Sequence, residues 1–234
     1  MISVIVPAYN ESQRLTPTLV RLREYFDNSG EEYEVLVVDD GSSDDTVEVA
    51  RRSQRCWPQL RVLALPRNQG KGAAVRAGML KAGGELRLFS DADLSTPIEE
   101  LPRLRERIGG ECQVVIASRA LKESRIETHQ PGRREMIGRT YNRLLQLTAL
   151  PGLHDTQCGF KLFTDTAAIA CFRPLRTRRF GFDAEVLLRA RRLGWQVAEV
   201  PVRWAHKEDS RVSAMRDSAR TLYELLALQV NARR

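Results

Sequence analysis

Short apolar runs alternate with helix-length segments through the first part of this chain, and this alternation limits the possible folds more than any other feature. The runs have the length and the apolar or β-branched character of buried strands. They lie at residues 2–6, 33–38, 60–65 and 86–90. The first intervening segment, residues 15–26, carries an apolar residue every three or four positions, which is typical of a helix. Strands and helices in this order form right-handed βαβ units, so we predict an α/β fold with a Rossmann-like, mostly parallel sheet flanked by helices.

The second half of the chain is less regular. Its patterns predict helices and strands in this order: a helix at 98–108, a strand at 114–117, a helix at 139–147, a strand within 155–163, a helix at 182–193, a half-buried segment at 196–204 and a last helix at 213–230. Residues 121–134 are polar and basic and contain Pro131-Gly132, which predicts a long, mobile loop. The sequence has no repeat, low-complexity tract or clear linker, so we predict one domain over residues 1–234.

The composition restricts the partners that the chain can have. A net charge of +7 favours an anionic partner such as phosphorylated substrates, an acidic membrane surface or nucleic acid. Nucleic acid is disfavoured, because lysine and arginine are spread along the chain and no helix-turn-helix, zinc-finger or RNP pattern is found. The four cysteines form no C-x-x-C pair, which favours a reducing compartment over a zinc site or disulfide framework. No apolar run approaches the ~18 residues that a membrane span requires, so the protein is expected not to cross a bilayer.

Polar residues follow each of the four predicted strands. Because parallel strands end at the same edge of a sheet, these residues are expected to lie together where open α/β sheets bind ligands. Asp91 and Asp93 follow the fourth strand and suit a hard divalent cation that shares substrate phosphate oxygens. The other interpretation is an acidic turn in which one of the two carboxylates caps the next helix. Neither a G-x-G-x-x-G nor a G-x-x-x-x-G-K-[ST] motif is present.

The other three strand ends supply groups that suit a nucleotide. Tyr9 offers an aromatic face, Glu11 and Asp40 can accept hydrogen bonds from a base or ribose, and Lys71, between two glycines, suits a phosphate. Taken singly, each has an ordinary alternative. Tyr9 could roof the core, Glu11 could be charge at a helix end, the turn around Asp40 could serve capping only, and Lys71 could be solvated surface.

These four segments carry a family resemblance. V-I-V-P-A-Y-N-E, V-V-D-D-G-S-S-D-D-T, N-Q-G-K-G-A-A-V-R-A-G and D-A-D, in this order, resemble family-2 glycosyltransferases of GT-A fold, over residues 2 to about 120. Five further stretches, D-A-D-L-S-T-P, S-R, D-T-Q-C-G-F-K-L-F, R-R-F-G-F-D-A-E and W-A-H-K-E-D-S-R-V, resemble dolichyl-phosphate glucosyl- and mannosyltransferases, and the glucosyl branch more closely. The Q-x-x-R-W motif of processive synthases is absent.

The resemblance implies a reaction. A sugar, glucose or mannose, moves with inversion from UDP-glucose or GDP-mannose to a polyprenyl phosphate of the dolichyl type, in the presence of Mg²⁺ or Mn²⁺. Residues 1–95 would form the nucleotide-binding half and residues 96–234 the acceptor-binding half. The alternative is a family-2 transferase that acts on a saccharide hydroxyl.

The resemblance also implies roles for residues on the donor side. Pro7, Tyr9 and Glu11 would hold the nucleoside, and Asp40 would accept the N–H of the base. Lys71 and Asp91 would lie at the diphosphate. The metal would be held by Asp91 and Asp93, with Ser95 as a third ligand, directly or through water.

On the acceptor side, the resemblance implies a set of basic residues around the two phosphate groups: Arg119, Arg133 or Arg134, His206 and Arg211. The expected catalytic residues are Asp91, Asp93, Asp183, Arg119 and Arg211. A phosphate acceptor is largely ionised at neutral pH and needs no general base. A hydroxyl acceptor would need one, from Asp183 or Glu185. The alternative is that Asp183 caps a helix and Glu185 pairs with Arg189.

A polyprenyl phosphate lies in a membrane, so the protein is expected to be cytoplasmic and peripheral at the membrane surface. Two segments could reach that surface, the basic residues 121–134 and the predicted last helix.

Overall fold

The computed structural model describes residues 1–130 and 132–207, and its elements follow the predicted alternation. The strands are β1 Ile2–Ala8, β2 Tyr33–Asp39, β3 Leu60–Ala64, β4 Leu86–Ser90, β5 Cys112–Ser118, β6 Arg125–Thr128, β7 Phe160–Thr164, β8 Gln196–Pro201 and β9 Arg203–Ala205. The helices are α1 Leu15–Ser29, α2 Thr46–Gln54, α3 Lys71–Lys81, α4 Leu101–Arg105, α5 Gly132–Thr148, α6 Asp165–Phe172 and α7 Phe182–Arg192, with a 3₁₀ turn at Ile98–Glu100.

Seven strands form one sheet in the order β3-β2-β1-β4-β7-β5-β8. The first four are parallel to their neighbours, and β8 is parallel to β5. Only β7 runs in the opposite direction, between β4 and β5. Its first residue, Phe160, therefore lies opposite Ser90, the last residue of β4. This reversal brings the residues that precede β7 to the edge at which the parallel strands end.

The core lies on both faces of the sheet. In β1, alternate residues serve the two sides: Val4 and Val6 pack in the cluster that contains α1, and Ile5 packs in the cluster that contains α3. Helix α3 approaches β1 closely, because a Cβ on Gly78 would come within 2.4 Å of Ile5. The close contact fixes α3, and with it Lys71 at its first position, relative to the sheet.

The predicted mobile loop at 121–134 is wrong. Arg125–Thr128 forms strand β6, which pairs with β9 in a separate two-stranded sheet, and helix α5 already begins at Gly132. The strand has one apolar residue, Ile126, among polar ones, and its partner is about eighty residues away. A strand of this length has no periodicity that would reveal it.

Three other elements differ from expectation. Helix α6 was not predicted; Thr164 caps it by accepting a hydrogen bond from the Ala167 N–H at 3.2 Å. The helix predicted at 98–108 is shorter, since a 3₁₀ turn and α4 end at Arg105. The helix predicted at 139–147 begins earlier, at Gly132. The predicted helix at 213–230 lies outside the described residues. No helix of the described residues is both long and apolar enough to cross a membrane.

Candidate active site

Asp91 is fixed at the end of β4 by two neighbours, Gly159 and Lys71. Its N–H donates to the Gly159 carbonyl at 2.9 Å, and its Oδ1 lies 2.6 Å from the Lys71 ammonium. A Cβ on Gly159 would lie 1.9 Å from the Asp91 carboxylate, so the carboxylate rests directly against that backbone. Burial raises the pKa of Asp91, which the Lys71 ammonium offsets only in part. The Asp91 carboxylate is therefore held in one orientation, and a nearby positive charge stabilises its ionised form.

Asp93 belongs to a tight turn beyond β4. Its Oδ1 accepts the Ser95 N–H at 2.9 Å, and Leu94 between them has a φ of +46°, a strained value for a side chain of this size. The 3₁₀ turn that follows begins after Pro97, and no side chain caps this turn. The interpretation of the two carboxylates as helix caps is therefore wrong.

The glycine-flanked loop before α3 is anchored by Asp40. The two carboxylate oxygens accept the N–H groups of Gln69 and Gly70 at 2.8 and 2.7 Å. Burial raises the pKa of Asp40, although these two hydrogen bonds oppose the change. Gly70 has a φ of +104°, and a Cβ there would lie 2.5 Å from the carbonyl oxygen of Arg178. Only glycine fits this position, which presents Lys71 to Asp91.

The ammonium of Lys71 lies among charges and aromatic rings. It is 5.2 Å from the ring centroid of Phe89 and 6.0 Å from that of Phe180. Burial alone would lower the pKa of Lys71, but the carboxylates of Asp91 and Asp183 outweigh it and the pKa is raised. Lys71 is therefore a fixed cation at the sheet edge, and the solvated-surface interpretation is wrong.

A second cation stands at the end of β5. Arg119 donates from Nε and a terminal nitrogen to the two oxygens of the buried Asp155, at 2.6 and 2.8 Å. Burial opposes ionisation of Asp155, but Arg119 outweighs it and holds the pKa of Asp155 below its usual value. The guanidinium lies 5.3 Å from the ring centroid of Trp204. Burial opposes its charge, but Asp155, and to a smaller extent Asp91, outweigh burial and raise the pKa of Arg119. Sequence reasoning gave Asp155 no role, and its position in the D-T-Q-C-G-F-K-L-F motif was the available signal.

The structure places three of the four other residues predicted on the acceptor side. His206 stacks on Trp204 with ring centroids 6.1 Å apart, and its backbone N–H donates to the Thr128 carbonyl. It therefore lies near Arg119, whose guanidinium packs on the same Trp204 ring. Arg133 and Arg134 lie in the first turn of α5. Arg211 is outside the described residues.

The strand end of β1 carries the predicted nucleoside-binding residues. Tyr9 is 41% exposed, so it does not roof the core. Pro7 lies within β1 opposite Val38. The Glu11 carboxylate binds the Arg14 guanidinium at 2.7 and 2.8 Å. An exposed aromatic ring therefore follows β1, close in sequence to the paired carboxylate of Glu11.

The two carboxylates of α7 have different surroundings. Asp183 does not cap the helix, which begins after Gly181 without a side-chain cap; it binds the buried ammonium of Lys161. Glu185 is 2% exposed and binds Arg189 as well as the backbone N–H of Thr177. The prediction that Glu185 pairs with Arg189 is confirmed. The other contacts of the Glu185 carboxylate fix the loop before α7. Sequence reasoning missed Lys161, which no local pattern distinguishes from a surface lysine.

Glu185 gives a prediction on stability. Burial raises its pKa, but the hydrogen bonds from Thr177, Arg189 and Arg176 outweigh it and the pKa is lowered. A lowered folded-state pKa stabilises the fold above the unfolded value of about 4.3, and this stabilisation is lost as pH falls through the folded-state pKa. Glu185→Gln is expected to lower the free energy of unfolding at pH 7 by about 1–3 kcal/mol, with the difference shrinking below about pH 4. Urea denaturation from pH 3 to 7 measures it, with exposed Glu123→Gln as control; a difference independent of pH would contradict it.

Asp91 and Asp93 fit a divalent cation by chemistry. Their carboxylates and the Ser95 hydroxyl are hard oxygen donors, which Mg²⁺ and Mn²⁺ prefer. Within residues 1–130 and 132–207 no group of three or more histidine, cysteine, aspartate or glutamate side chains is placed to hold a metal. A cation at this pair would therefore take further ligands from a hydroxyl, water or bound phosphate oxygens.

Comparisons with known proteins decide the family. Residues 3–172 match the model of glycosyl transferase family 2. The chain is a family 2 glycosyltransferase. The predicted resemblance is thereby confirmed, and so is the enzyme class.

Curated relatives of this glycosyltransferase include three dolichyl-phosphate beta-glucosyltransferases. That of Trichomonas vaginalis is 39% identical over 89% of this chain and 65% of its own length. Those of Drosophila melanogaster and Homo sapiens are 38% and 33% identical, over 91% and 90% of this chain and 69% of their own lengths. The chain thus spans about two thirds of the length of the relatives.

Solved structures confirm the fold prediction. A glucosyl-3-phosphoglycerate synthase of Mycobacterium tuberculosis, crystallised with Mn²⁺, UDP and phosphoglyceric acid, superposes on this glycosyltransferase with a TM-score of 0.75 at 21% identity. The match covers 97% of this chain and 78% of the other. Another crystal structure of the same synthase gives a TM-score of 0.73, also at 21% identity, over 97% of this chain and 80% of the other. The architecture is the mostly parallel GT-A sheet that the sequence predicts.

Proposed function

We propose that this enzyme transfers glucose with inversion from UDP-glucose to a polyprenyl phosphate of the dolichyl type, with Mg²⁺ or Mn²⁺ at Asp91 and Asp93. The observation that carries the proposal is a pair of fixed cations: Lys71, which binds Asp91, and Arg119, which Asp155 holds and whose charge also interacts with Asp91. Two cations suit two phosphate-bearing substrates. The names of the curated relatives favour glucose and a dolichyl acceptor, with mannose from GDP-mannose as the second donor.

The residues on the donor side have different roles in the proposed reaction. Tyr9 and Asp40, with Pro7 and Glu11, hold the nucleoside at the ends of β1 and β2. The metal, when bound, neutralises charge on the leaving diphosphate. Lys71 adds a second positive charge there, where it stabilises the transition state.

Arg119 orients the acceptor, together with His206, Arg133 or Arg134, and Arg211. An oxygen of the acceptor phosphate attacks the anomeric carbon on the face opposite the diphosphate. One carbon–oxygen bond forms as the bond to the diphosphate breaks, so the configuration inverts. The acceptor oxygen is already ionised at neutral pH, and the step needs no proton transfer.

Transfer to a saccharide hydroxyl remains the alternative, and product analysis separates the two. The enzyme is incubated with Mn²⁺ and either UDP-glucose or GDP-mannose, and with either dolichyl phosphate or free saccharides. We expect an organic-soluble glucosyl phospholipid. A water-soluble oligosaccharide product would favour the hydroxyl acceptor, and no product together with no binding of UDP would overturn the proposal.

The acceptor requires contact with a membrane surface, and α5 supports such a contact. It begins with Arg133 and Arg134 in the segment expected to reach the bilayer, and its apolar Met136 and Leu147 are 63% and 78% exposed. Exposed apolar side chains on a helix that also carries arginines suit an anionic bilayer surface. Helix α5 also contacts the acceptor side, since Asn142 accepts hydrogen bonds from Thr156, next to Asp155.

Liposome flotation tests this contact. Binding to anionic liposomes is expected to weaken with salt, because each arginine near the surface contributes about 1 kcal/mol of screened attraction. Leu147→Ser should reduce binding, whereas Val20→Ser, at a 50% exposed apolar position of α1, should not. Arg133→Ala with Arg134→Ala should reduce transfer to lipid acceptors and preserve donor binding. Protein that stays in the soluble fraction at low salt would contradict this membrane contact.

A further inference from the structure

Burial of the lysine in β7 costs free energy, and the roles proposed for the reaction do not account for its charge. Lys161 is 0% exposed, and its ammonium donates to the Cys158 carbonyl and to Asp183 Oδ1, each at 2.5 Å. Removing an ammonium and a carboxylate from water costs more free energy than their attraction usually returns. An apolar residue of similar volume would serve the stability of the core at least as well. The charge at this position therefore suggests a role in the site.

Lys161 is connected to the site through alternating charges. Asp183, its partner, acts electrostatically on Lys71, and Lys71 pairs with Asp91. Both ammonium groups lie near the ring of Phe89, at 5.2 Å for Lys71 and 5.6 Å for Lys161. The four charged residues come from four different elements, so only the fold brings them together.

The pair of Lys71 and Asp91 poses a problem for donor binding. The ammonium lies at Asp91 Oδ1, the carboxylate that would bind the metal. When a divalent cation and a diphosphate enter, Lys71 loses Asp91 as a partner and faces a new positive charge. A second carboxylate beside Lys71, that of Asp183, compensates for that repulsion.

We propose that Lys161 is a positioning residue for the donor diphosphate: its buried ammonium holds the Asp183 carboxylate in place beside Lys71, so that Lys71 can leave Asp91 and bind phosphate. This inference rests on the proposed function, because it assumes a metal-bound nucleoside diphosphate. Without Lys161, Asp183 would lose the ammonium that holds it and would draw Lys71 to itself. This removes Lys71 from the diphosphate and leaves the nucleoside contacts unchanged.

Calorimetric titration with UDP and with uridine, both in Mn²⁺, tests the inference. Lys161→Met is expected to weaken UDP binding by about tenfold and to leave uridine binding unchanged. Arg87→Met is the matched control. Arg87 is a buried cation of the neighbouring strand β4 that binds the carbonyls of Gly84 and Met79, so its loss should affect stability without changing the ratio of UDP to uridine affinity.

A double-mutant cycle separates positioning from packing. If Lys161 acts through Asp183, then Asp183→Asn alone reproduces the selective loss, and adding Lys161→Met causes no further change in the ratio. The double variant has no unpaired buried charge, so it keeps the measurement possible where Lys161→Met does not fold. Equal loss of UDP and uridine binding in Lys161→Met, no loss of either, or additive effects in the cycle would each overturn the inference. Wild-type enzyme that fails to bind UDP would instead overturn the proposed function.

Discussion

Asp93→Asn is expected to lower the rate of sugar transfer by at least about a hundredfold while the protein stays folded. The substitution removes one of the two negative charges proposed to hold the cation and would weaken the neutralisation of the leaving diphosphate. Asparagine keeps the side-chain oxygen that accepts the Ser95 N–H at 2.9 Å, so the turn beyond β4 is preserved. Initial rates over a Mn²⁺ titration, with thermal melting in parallel, measure both effects.

The control for this charge removal is Asp45→Asn. Asp45 is an exposed carboxylate just before α2, so its loss changes the net charge equally and should leave the rate near that of the wild type. Full activity of Asp93→Asn in the presence of a chelator would show that the reaction does not depend on a cation at this pair.

Gly159→Ala is expected to abolish metal-dependent nucleotide binding. A Cβ at this position would lie 1.9 Å from Asp91 Oδ2 and 2.2 Å from its Cγ, a distance that no real contact tolerates. Because the obstructing group is a side chain, the carboxylate can rotate away at moderate cost to the fold. Asp91 then leaves both the cation and Lys71, and transfer should fall by at least about a hundredfold, as for a lost electrostatic contact in the transition state.

Gly138→Ala provides the comparison. Gly138 lies inside α5, and a Cβ there meets no atom within 4 Å. Alanine should stabilise the helix by about 0.8–1 kcal/mol and leave activity unchanged. Titration of each variant with UDP and Mn²⁺ measures the difference. Wild-type affinity in Gly159→Ala would mean that the position of the Asp91 carboxylate does not matter for the donor.

Sequence by itself determined the presence and parallel direction of the first four strands, and the polar residues expected at the sheet edge where they end. These features depend on local periodicity: a buried strand is a continuous apolar run, and an α/β connection places consecutive strands in parallel. Tyr9, Asp40 and Asp91 closely follow such runs, and Lys71 follows the third run after a short loop. Their position at one edge of the sheet therefore follows from the topology that the sequence predicts.

Tertiary structure alone decided which charged groups pair between distant parts of the sequence. Asp155 binds Arg119 across 36 positions of sequence, and Asp183 binds Lys161 across 22. Both pairings depend on β7, whose reversed direction sets Gly159 against Asp91 and Lys161 opposite Phe89. A strand of five residues has no periodicity that fixes its direction or its neighbours, and a buried ion pair forms only where the surrounding fold excludes water from both partners.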